Sequence, residues 1–181
     1  MSSDPIFSAL DQSVAVAGLS HDDSIRRTVA LAEHCEALGY RRFWVSEHHS
    51  HPSIVGSAPE ILMAAIAMKT HRIRIGSAGV MLPHYAPLKV AEQFRVLNAL
   101  APGRIDLGLG RAPGSDQLTA MALNPYGLSA DQFPNQVLDL QAWVSGKPLL
   151  PDHPFGSVKA HPQGPSWPEM FDPQAHKVLS N

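Results

Sequence analysis

Four titratable side chains crowd the stretch WVSEHHSH, residues 44–51, at the end of an apolar run. They are Glu47, His48, His49 and His51. An imidazole exchanges protons near neutral pH, so a histidine oriented by its neighbours could act here as a general acid or base. The three histidines could instead be metal ligands, or the stretch could be a solvated polar loop. Since adjacent residues of a strand point to opposite sides, we expect at most two of the four groups to face one cavity together.

Two later stretches place glycines in apolar runs. GSAG, residues 76–79, places small residues in a predicted strand where bulky apolar residues are usual. Such glycines let a ligand or another backbone come close, or they mark a β-bulge. DLGLGR, residues 106–111, ends in Arg111, and a glycine-lined loop with an arginine can hold a phosphate through N–H groups and the guanidinium. A flat aromatic ligand would explain the first stretch. An arginine on an ordinary surface loop would explain the second without any ligand.

The elements that must position these residues alternate between strands and helices. The last three predicted strands begin about 30 residues apart, which is typical of βα units in a parallel sheet covered by helices. In barrels of such units the chemistry lies at the carboxyl ends of the strands, where all three stretches fall. The predicted strands cover residues 6–10, 42–46, 72–82 and 104–110, and the predicted helices cover residues 21–38, 59–69, 87–100 and 133–144.

We therefore predict an α/β fold of parallel βα units of the TIM (β/α)8-barrel type, here about four units, as in a half or truncated barrel. Residues 1–150 form this N-terminal βα half, and residues 151–181 are predicted to be a proline-rich, irregular tail. Four strands in an open sheet would expose edge strands, so we expect a homodimer or another chain to cover them.

Composition narrows the classes of function. The chain has 181 residues, of which 44% are hydrophobic and 17% charged, as expected of a globular domain. The net charge of -2 and the lack of a basic block argue against binding to nucleic acid or to a membrane surface. No run approaches the ~18 apolar residues of a membrane span, and residues 1–13 have no secretion signal, so we expect a cytoplasmic protein.

Three motifs in this order and spacing resemble the N-terminal half of the bacterial luciferase-like, flavin-dependent monooxygenase family. They are FWVSEHHS, RIRIGSAGVMLPHYAPLKVAEQF and LAPGRIDLGLGRAPG, and the likeness runs from about Phe7 to Gly156. The resemblance implies a (β/α)8 barrel that binds reduced FMN, supplied by a flavin reductase, at the carboxyl ends of the strands. It further implies oxidation of a small organic substrate with O2. Some members of the family use a deazaflavin in place of FMN.

The resemblance also implies roles for individual residues. In the family's Glu-His-His motif, His48 takes the position of the histidine that acts as acid or base near the flavin ring. Glu47 lies beside that histidine, and His49 is the second of the pair.

Four further residues are expected to bind the cofactor. Ala78 and Gly79 fall where the family has a cis peptide bond under the flavin ring. Arg111 matches the arginine that grips the FMN phosphate, and Gly110 stands where true luciferases carry a cysteine.

Three functions follow as hypotheses. The first is an FMN-dependent monooxygenase with Glu47, His48 and His49 as catalytic residues. The second is a truncated, catalytically degenerate half-barrel that binds flavin or acts in assembly, because residues 171–181 show no strand pattern where the family would enter its fifth strand. The third is a metal-dependent hydrolase with histidine ligands.

Overall fold

The computed structural model describes residues 6–112, 114–125, 127, 130–172 and 177–178. Helices and strands alternate along it, as predicted. The strands are β1 (Ser8–Asp11), β2 (Arg42–Val45), β3 (Arg74–Ser77), β4 (Val80–Met81), β5 (Ile105–Gly110), β6 (Glu169–Asp172) and β7 (Lys177–Val178). The α-helices are α1 (His21–Ala37), α2 (Pro59–Lys69), α3 (Pro87–Leu100), α4 (Gln117–Leu123) and α5 (Phe133–Ser145).

One twisted sheet joins these strands in the order β1-β2-β3-β5-β6-β7. The pairs from β1 to β6 are parallel, β4 pairs in parallel with the end of β5, and β7 turns back antiparallel to β6. The predicted α/β class, with parallel βα units of a barrel, is therefore confirmed. No helix in the described part of the chain is long and apolar enough to span a membrane.

Local signals in the sequence account for the helix bounds. α1 begins after Ser20, whose hydroxyl accepts the N–H of Asp23, and it ends before Gly39, which has a φ of 80°. α2 and α3 each begin at a proline, as predicted, because proline has the φ of a first helical residue and no N–H to satisfy. α4 was not predicted, although Asp116 caps it by accepting the N–H of Thr119.

The core lies between the sheet and the helices. Phe43 and Val45 of β2 and Ile75 of β3 are fully buried, and they join Ile66 of α2 and Phe94 of α3 in one apolar cluster. Because side chains alternate along a strand, the intervening residues of β2 and β3 project from the other side of the sheet. The polar residues of the sheet gather there.

A buried carboxylate organises that other side. Asp106 of β5 is fully buried, and it accepts a hydrogen bond from the indole Nε1 of Trp44 at 2.8 Å. It also pairs with Arg74, whose Nε donates at 3.0 Å, and with Arg42, whose Nε lies 3.3 Å away. Arg74 in turn reaches Glu169 at 3.2 Å. One charge on β5 therefore connects β2 and β3, and through Arg74 it also connects β6.

The predicted irregular tail is wrong for Glu169–Asp172. These residues form β6, which runs parallel to β5 with Met170 opposite Leu107, and Met170 is 4% exposed. The strand follows a stretch rich in proline and has no alternation of apolar and polar residues, and it is defined by its pairing with β5, which is distant in sequence. The boundary between residues 150 and 151 stays a prediction, as does a second chain at the sheet edges. Residues 173–176 and 179–181 of the predicted tail lie outside the described residues.

We predict that Asp106→Asn lowers the free energy of unfolding by about 3 kcal/mol, because two arginines lose their shared counter-charge in a buried site. Urea unfolding followed by circular dichroism measures this. Arg26→Gln is the control, since it removes an ion pair with Asp23 on the exposed face of α1 and should leave the midpoint unchanged. Equal midpoints for Asp106→Asn and the wild type would contradict the central role of this carboxylate.

Candidate active site

The carboxyl ends of β1, β2 and β3 form one continuous rim. The N–H of Ser46 donates to the carbonyl of Asp11 at 3.1 Å, and the N–H of Ala78 donates to the carbonyl of Val45 at 2.8 Å. Each strand is thus joined to its neighbour one residue past its end. The predicted site residues that follow β2 and β3 lie directly after this rim.

The loops that follow β1 and β2 are tied together above the rim. Val14 and Ile54 form an antiparallel bridge, and the N–H of Ala15 donates to the carbonyl of Ser53 at 2.9 Å. The loop after β2 also closes on itself, because the N–H of His48 donates to the carbonyl of Gly56 at 3.0 Å. The histidine-rich stretch is therefore an ordered loop with defined backbone partners.

Glu47 is a fully buried carboxylate at the end of β2. Its Oε1 lies 2.7 Å from the ring Nε2 of His49 and accepts from the hydroxyl of Tyr85 at 2.6 Å. Its Oε2 accepts from the backbone N–H of Met81 at 2.9 Å. Burial of a carboxylate is tolerated when polar partners surround it, and here the partners come from the loop after β2 and from residues 81–85.

Tyr85 is a site residue that the sequence reasoning missed. Burial, and then its hydrogen bond to Glu47, raise the pKa of the Tyr85 phenol well above its usual range. Burial and the charge of Glu47 also raise the pKa of Glu60, in the first turn of α2. The signal for Tyr85 was present in LPHY, residues 82–85, because this segment directly follows a strand end. Periodicity carries no information about a loop.

His48 and His49 point away from each other. His49 faces Glu47 and lies with its ring centre 6.2 Å from that of His84, and its N–H donates to the carbonyl of Gly114 at 3.2 Å. His48 instead has its Nδ1 3.2 Å from the Ser46 hydroxyl. The resemblance placed Glu47 beside His48. In the structure the carboxylate contacts His49, because strand-like alternation sends neighbouring side chains to opposite sides.

His48 opens onto a cleft of about 540 Å³ between the loop after β2 and the start of α1. His21, Asp22 and His51 also line it. Burial, and then the neighbouring imidazoles of His51 and His49, lower the pKa of His48. These effects favour the neutral form of the imidazole. The lining of this cleft includes neither Ala78 nor Arg111.

The glycines of the second and third motifs are explained by close packing of strands. A Cβ on Gly108 would lie 2.1 Å from the carbonyl oxygen of Ser77, and one on Gly79 would lie 2.6 Å from the carbonyl carbon of Leu109. A Cβ on Gly110 would meet the sulfur of Met81 at 2.8 Å. Of the interpretations left open by the sequence, the approach of another backbone accounts for these residues without a ligand.

The four predicted cofactor residues lie on adjoining segments. The peptide bond between Ala78 and Gly79 is cis, as the resemblance implied. β4 follows it directly and pairs with Leu109 and Gly110, so Ala78, Gly79 and Gly110 are neighbours. Arg111 is exposed at the end of β5, one residue further. Glu47 connects to this group through the N–H of Met81. Binding of a cofactor by the four residues stays a prediction.

The histidines do not assemble into a metal site. Within the described ranges, no group of three or more histidine, cysteine, aspartate or glutamate side chains is arranged to hold a metal ion. His49 is paired with Glu47, and the Nδ1 of His51 accepts the N–H of Ser53 at 3.1 Å. These partners leave the hypothesis of a histidine-ligated hydrolase without structural support.

Comparisons with known proteins identify the relatives of this chain. The model of the luciferase-like monooxygenase family matches residues 6–149. Two proteins of Bacillus subtilis (strain 168) align over 166 residues, which are 91% of this chain and 49% of each relative. YwcH is 50% identical, and N-acetyl-S-alkylcysteine monooxygenase is 46% identical. The chain thus spans about half the length of the curated relatives it matches.

Solved structures agree. The crystal structure of apo-MsnO8 is 41% identical and superposes with a TM-score of 0.80, over 91% of this chain and 48% of that one. The oxygenating constituent of 3,6-diketocamphane monooxygenase from Pseudomonas putida, in complex with FMN, has a TM-score of 0.73 at 20% identity, covering 91% and 50%. An F420-dependent secondary alcohol dehydrogenase has a TM-score of 0.65 at 14% identity, covering 90% and 50%. The last two share the fold alone.

The family model covers most of the chain, including the three strand-end motifs described above, and a relative named as a monooxygenase is 46% identical over 91% of it. This chain belongs to the luciferase-like monooxygenase family.

Proposed function

We propose that the chain acts in an FMN-dependent monooxygenase that uses O2 to oxidise a small organic substrate. One observation carries the proposal: the Glu47–His49 pair and the Ala78–Gly79 segment meet at one rim through the N–H of Met81. A paired histidine beside a glycine-rich strand end is the combination that proton transfer next to a flat cofactor requires. Membership of a monooxygenase family supports the same reaction class.

The residues at the rim suit a flavin mononucleotide. The guanidinium of Arg111 is exposed at the end of β5, where it can pair with a phosphate dianion. Half-buried Ala78 would contact the ring system, beside Gly79 and Gly110. When bound, reduced FMN supplies the electrons that activate O2. We favour FMN over a deazaflavin because oxygen chemistry is characteristic of flavins, and a flavin reductase would deliver it in the reduced form.

The protein's own contribution is to orient groups and to move protons. His48 lines a separate cleft beside α1, where its Nδ1 faces the hydroxyl of Ser46 and its Nε2 would exchange a proton with the organic substrate. Burial and the neighbouring imidazoles lower the pKa of His48, which favours the neutral ring that a general base requires. The Glu47–His49 pair lies at the rim next to the Ala78–Gly79 segment, to which it is connected by the N–H of Met81. We further propose that a second copy, or another chain, covers the exposed sheet edges.

Anaerobic titration of the full chain with reduced FMN tests the proposal. Perturbed flavin absorbance with saturation in the micromolar range is expected, followed by O2 uptake when a small aldehyde or thioether is added with a flavin reductase. Binding without turnover would favour the alternative of a flavin-binding protein that lacks catalysis. Absence of any binding at several hundred micromolar flavin would refute the proposal.

We predict that Arg111→Ala weakens FMN binding by about 1.5–3 kcal/mol, or roughly 10- to 150-fold in Kd, because a charge-assisted phosphate contact is lost. The variant should bind riboflavin as the wild type does, since riboflavin has no phosphate. Arg41→Ala is a matched control, because Arg41 is also exposed but precedes β2 at the opposite end of the sheet. Equal losses for FMN and riboflavin would contradict the assignment of Arg111 to the phosphate.

We predict that His48→Gln lowers kcat by about 10²–10⁴-fold while FMN affinity changes little, as expected for loss of a general acid or base. In the wild type, kcat/KM should fall as the pH drops through the pKa of His48, which burial holds below the ordinary value of about 6.5. This acidic limb should be missing from the residual activity of His48→Gln.

His51→Gln serves as the companion variant for the pH profile. The positive charge of His51 helps to lower the pKa of His48, so its removal should move the acidic limb of kcat/KM to higher pH. A profile that is the same in His51→Gln and the wild type would show that the limb belongs to another group.

A further inference from the structure

The carboxylate of Glu47 joins its own loop after β2 to the segment of residues 81–85, which lies 34 to 38 residues further along the chain. It accepts from His49 in the loop after β2, from Met81 in β4, and from Tyr85 just before α3. A carboxylate can only accept hydrogen bonds, so the nitrogen of His49 that faces it must carry a hydrogen. The nitrogen in question is Nε2, at 2.7 Å.

We propose that Glu47 is a positioning residue that holds the His49 imidazole with its hydrogen on Nε2, and that Tyr85 holds the Glu47 carboxylate in the orientation this requires. The Nδ1 of His49 is thereby left as the nitrogen with a free lone pair. Which ring nitrogen carries the hydrogen is normally set by the bond that the other nitrogen makes. The effect of Glu47 on turnover rests on the proposed monooxygenase function, whereas the tautomer of His49 is independent of that function.

Because of the Met81 N–H, replacing the Glu47 carboxylate by a neutral amide would change the hydrogen-bond roles of its partners. The N–H of Met81 belongs to the backbone and cannot turn away, so the Oε2 position of Glu47 must remain an acceptor. In a Glu47→Gln variant the amide oxygen would therefore occupy that position, and the amide NH2 would face His49 and Tyr85. The hydroxyl of Tyr85 can rotate to accept from it. The imidazole can accept only through a bare Nε2, so its hydrogen must move to Nδ1.

Tyr85 is itself held rigidly. The side-chain amide of Gln136, on α5, donates to the carbonyls of Leu82 and Tyr85 at 3.3 Å each. The side-chain amide of Asn124 donates to the carbonyl of Pro83 at 3.0 Å. The turn that presents the phenol to Glu47 is thus fixed from two other elements. A hydroxyl in this position limits the freedom of the carboxylate to rotate away from His49.

The pair also connects to the loop that carries Arg111. The backbone N–H of His49 donates to the carbonyl of Gly114, and a Cβ on Gly114 would lie 3.4 Å from the carbonyl oxygen of Glu47. The backbone of both residues is therefore in contact with the segment that follows β5. A positioning role for Glu47 accounts for why a charged side chain is retained in a site that water does not reach.

The test is the tautomer of His49, read from two-bond ¹⁵N–¹H correlations of protein labelled with ¹⁵N-histidine and free of flavin. The His49 signal is assigned by its loss in His49→Gln. In the wild type we expect a hydrogen on Nε2, in Glu47→Gln a hydrogen on Nδ1, and in Tyr85→Phe the wild-type tautomer with a broadened signal. A wild-type ring with its hydrogen on Nδ1, or an unchanged tautomer in Glu47→Gln, would overturn the proposal.

Turnover measurements on the protein with reduced FMN supply the second arm. Glu47→Gln should lower kcat by about 10²-fold with the Kd for FMN within threefold of wild type, since packing and size are preserved. Tyr85→Phe should lower kcat by a smaller factor. Tyr40→Phe is its matched control, because Tyr40 is half-buried between α1 and β2, and it should leave kcat unchanged.

The two arms separate the inference from the function on which it rests. A parallel loss of FMN affinity and turnover in Glu47→Gln would show that the carboxylate only shapes the cofactor site, and would refute a positioning role. A wild type that binds no flavin would refute the proposed function, while the tautomer measurement, which needs no flavin, would still decide the role of Glu47.

Discussion

The rim of the sheet depends on how closely β3 and β4 run beside β5. Ser77 and Gly108 meet at this crossing: the Ser77 hydroxyl donates to the carbonyl of Gly108 at 2.8 Å, and the N–H of Gly108 donates back to the same hydroxyl oxygen at 3.1 Å. Any side chain at residue 108 would enter the space of the Ser77 carbonyl. This approach lets the chain pass through Ala78–Gly79 and pair again with β5, and thereby brings the second and third motifs together.

Two buried carboxylates stabilise different parts of the sheet: Asp106 lies within the strands, and Glu47 lies just past the carboxyl end of β2. Asp106 is neutralised by arginines on β3 and β2, so it fixes the spacing of the strands. Glu47 lies at the rim and has backbone, phenol and imidazole donors, so it fixes the loops. Each satisfies the rule that a buried charge needs several partners. The different chemistry of the partners matches the different roles, because arginines supply charge whereas a histidine supplies a proton that can move.

Four of the helices and the first parallel strands were predictable from the sequence, whereas α4, β6 and the contacts between loops were not. The bounds of α2 and α3 follow from a proline at the first residue and an apolar run, and the spacing of the strands indicated the parallel sheet. The alternation rule correctly limited how many groups could face one cavity, but it could not tell that Glu47 selects His49. That choice depends on Tyr85, which no periodic pattern marks, and β6 depends on a partner strand. The roles of Arg111 and of the other site residues stay predictions.

The bridge between Val14 and Ile54 has a consequence for how such a protein can diverge. Because the loops after β1 and β2 share backbone hydrogen bonds, an insertion in either would shift the other, and with it the histidines that the second loop presents. Changes of length are therefore tolerated only if both loops change together. We expect variation in the shape of the entrance to accumulate elsewhere, at loops without such a tie, so that new substrates are accommodated while the proton-transfer geometry is inherited intact.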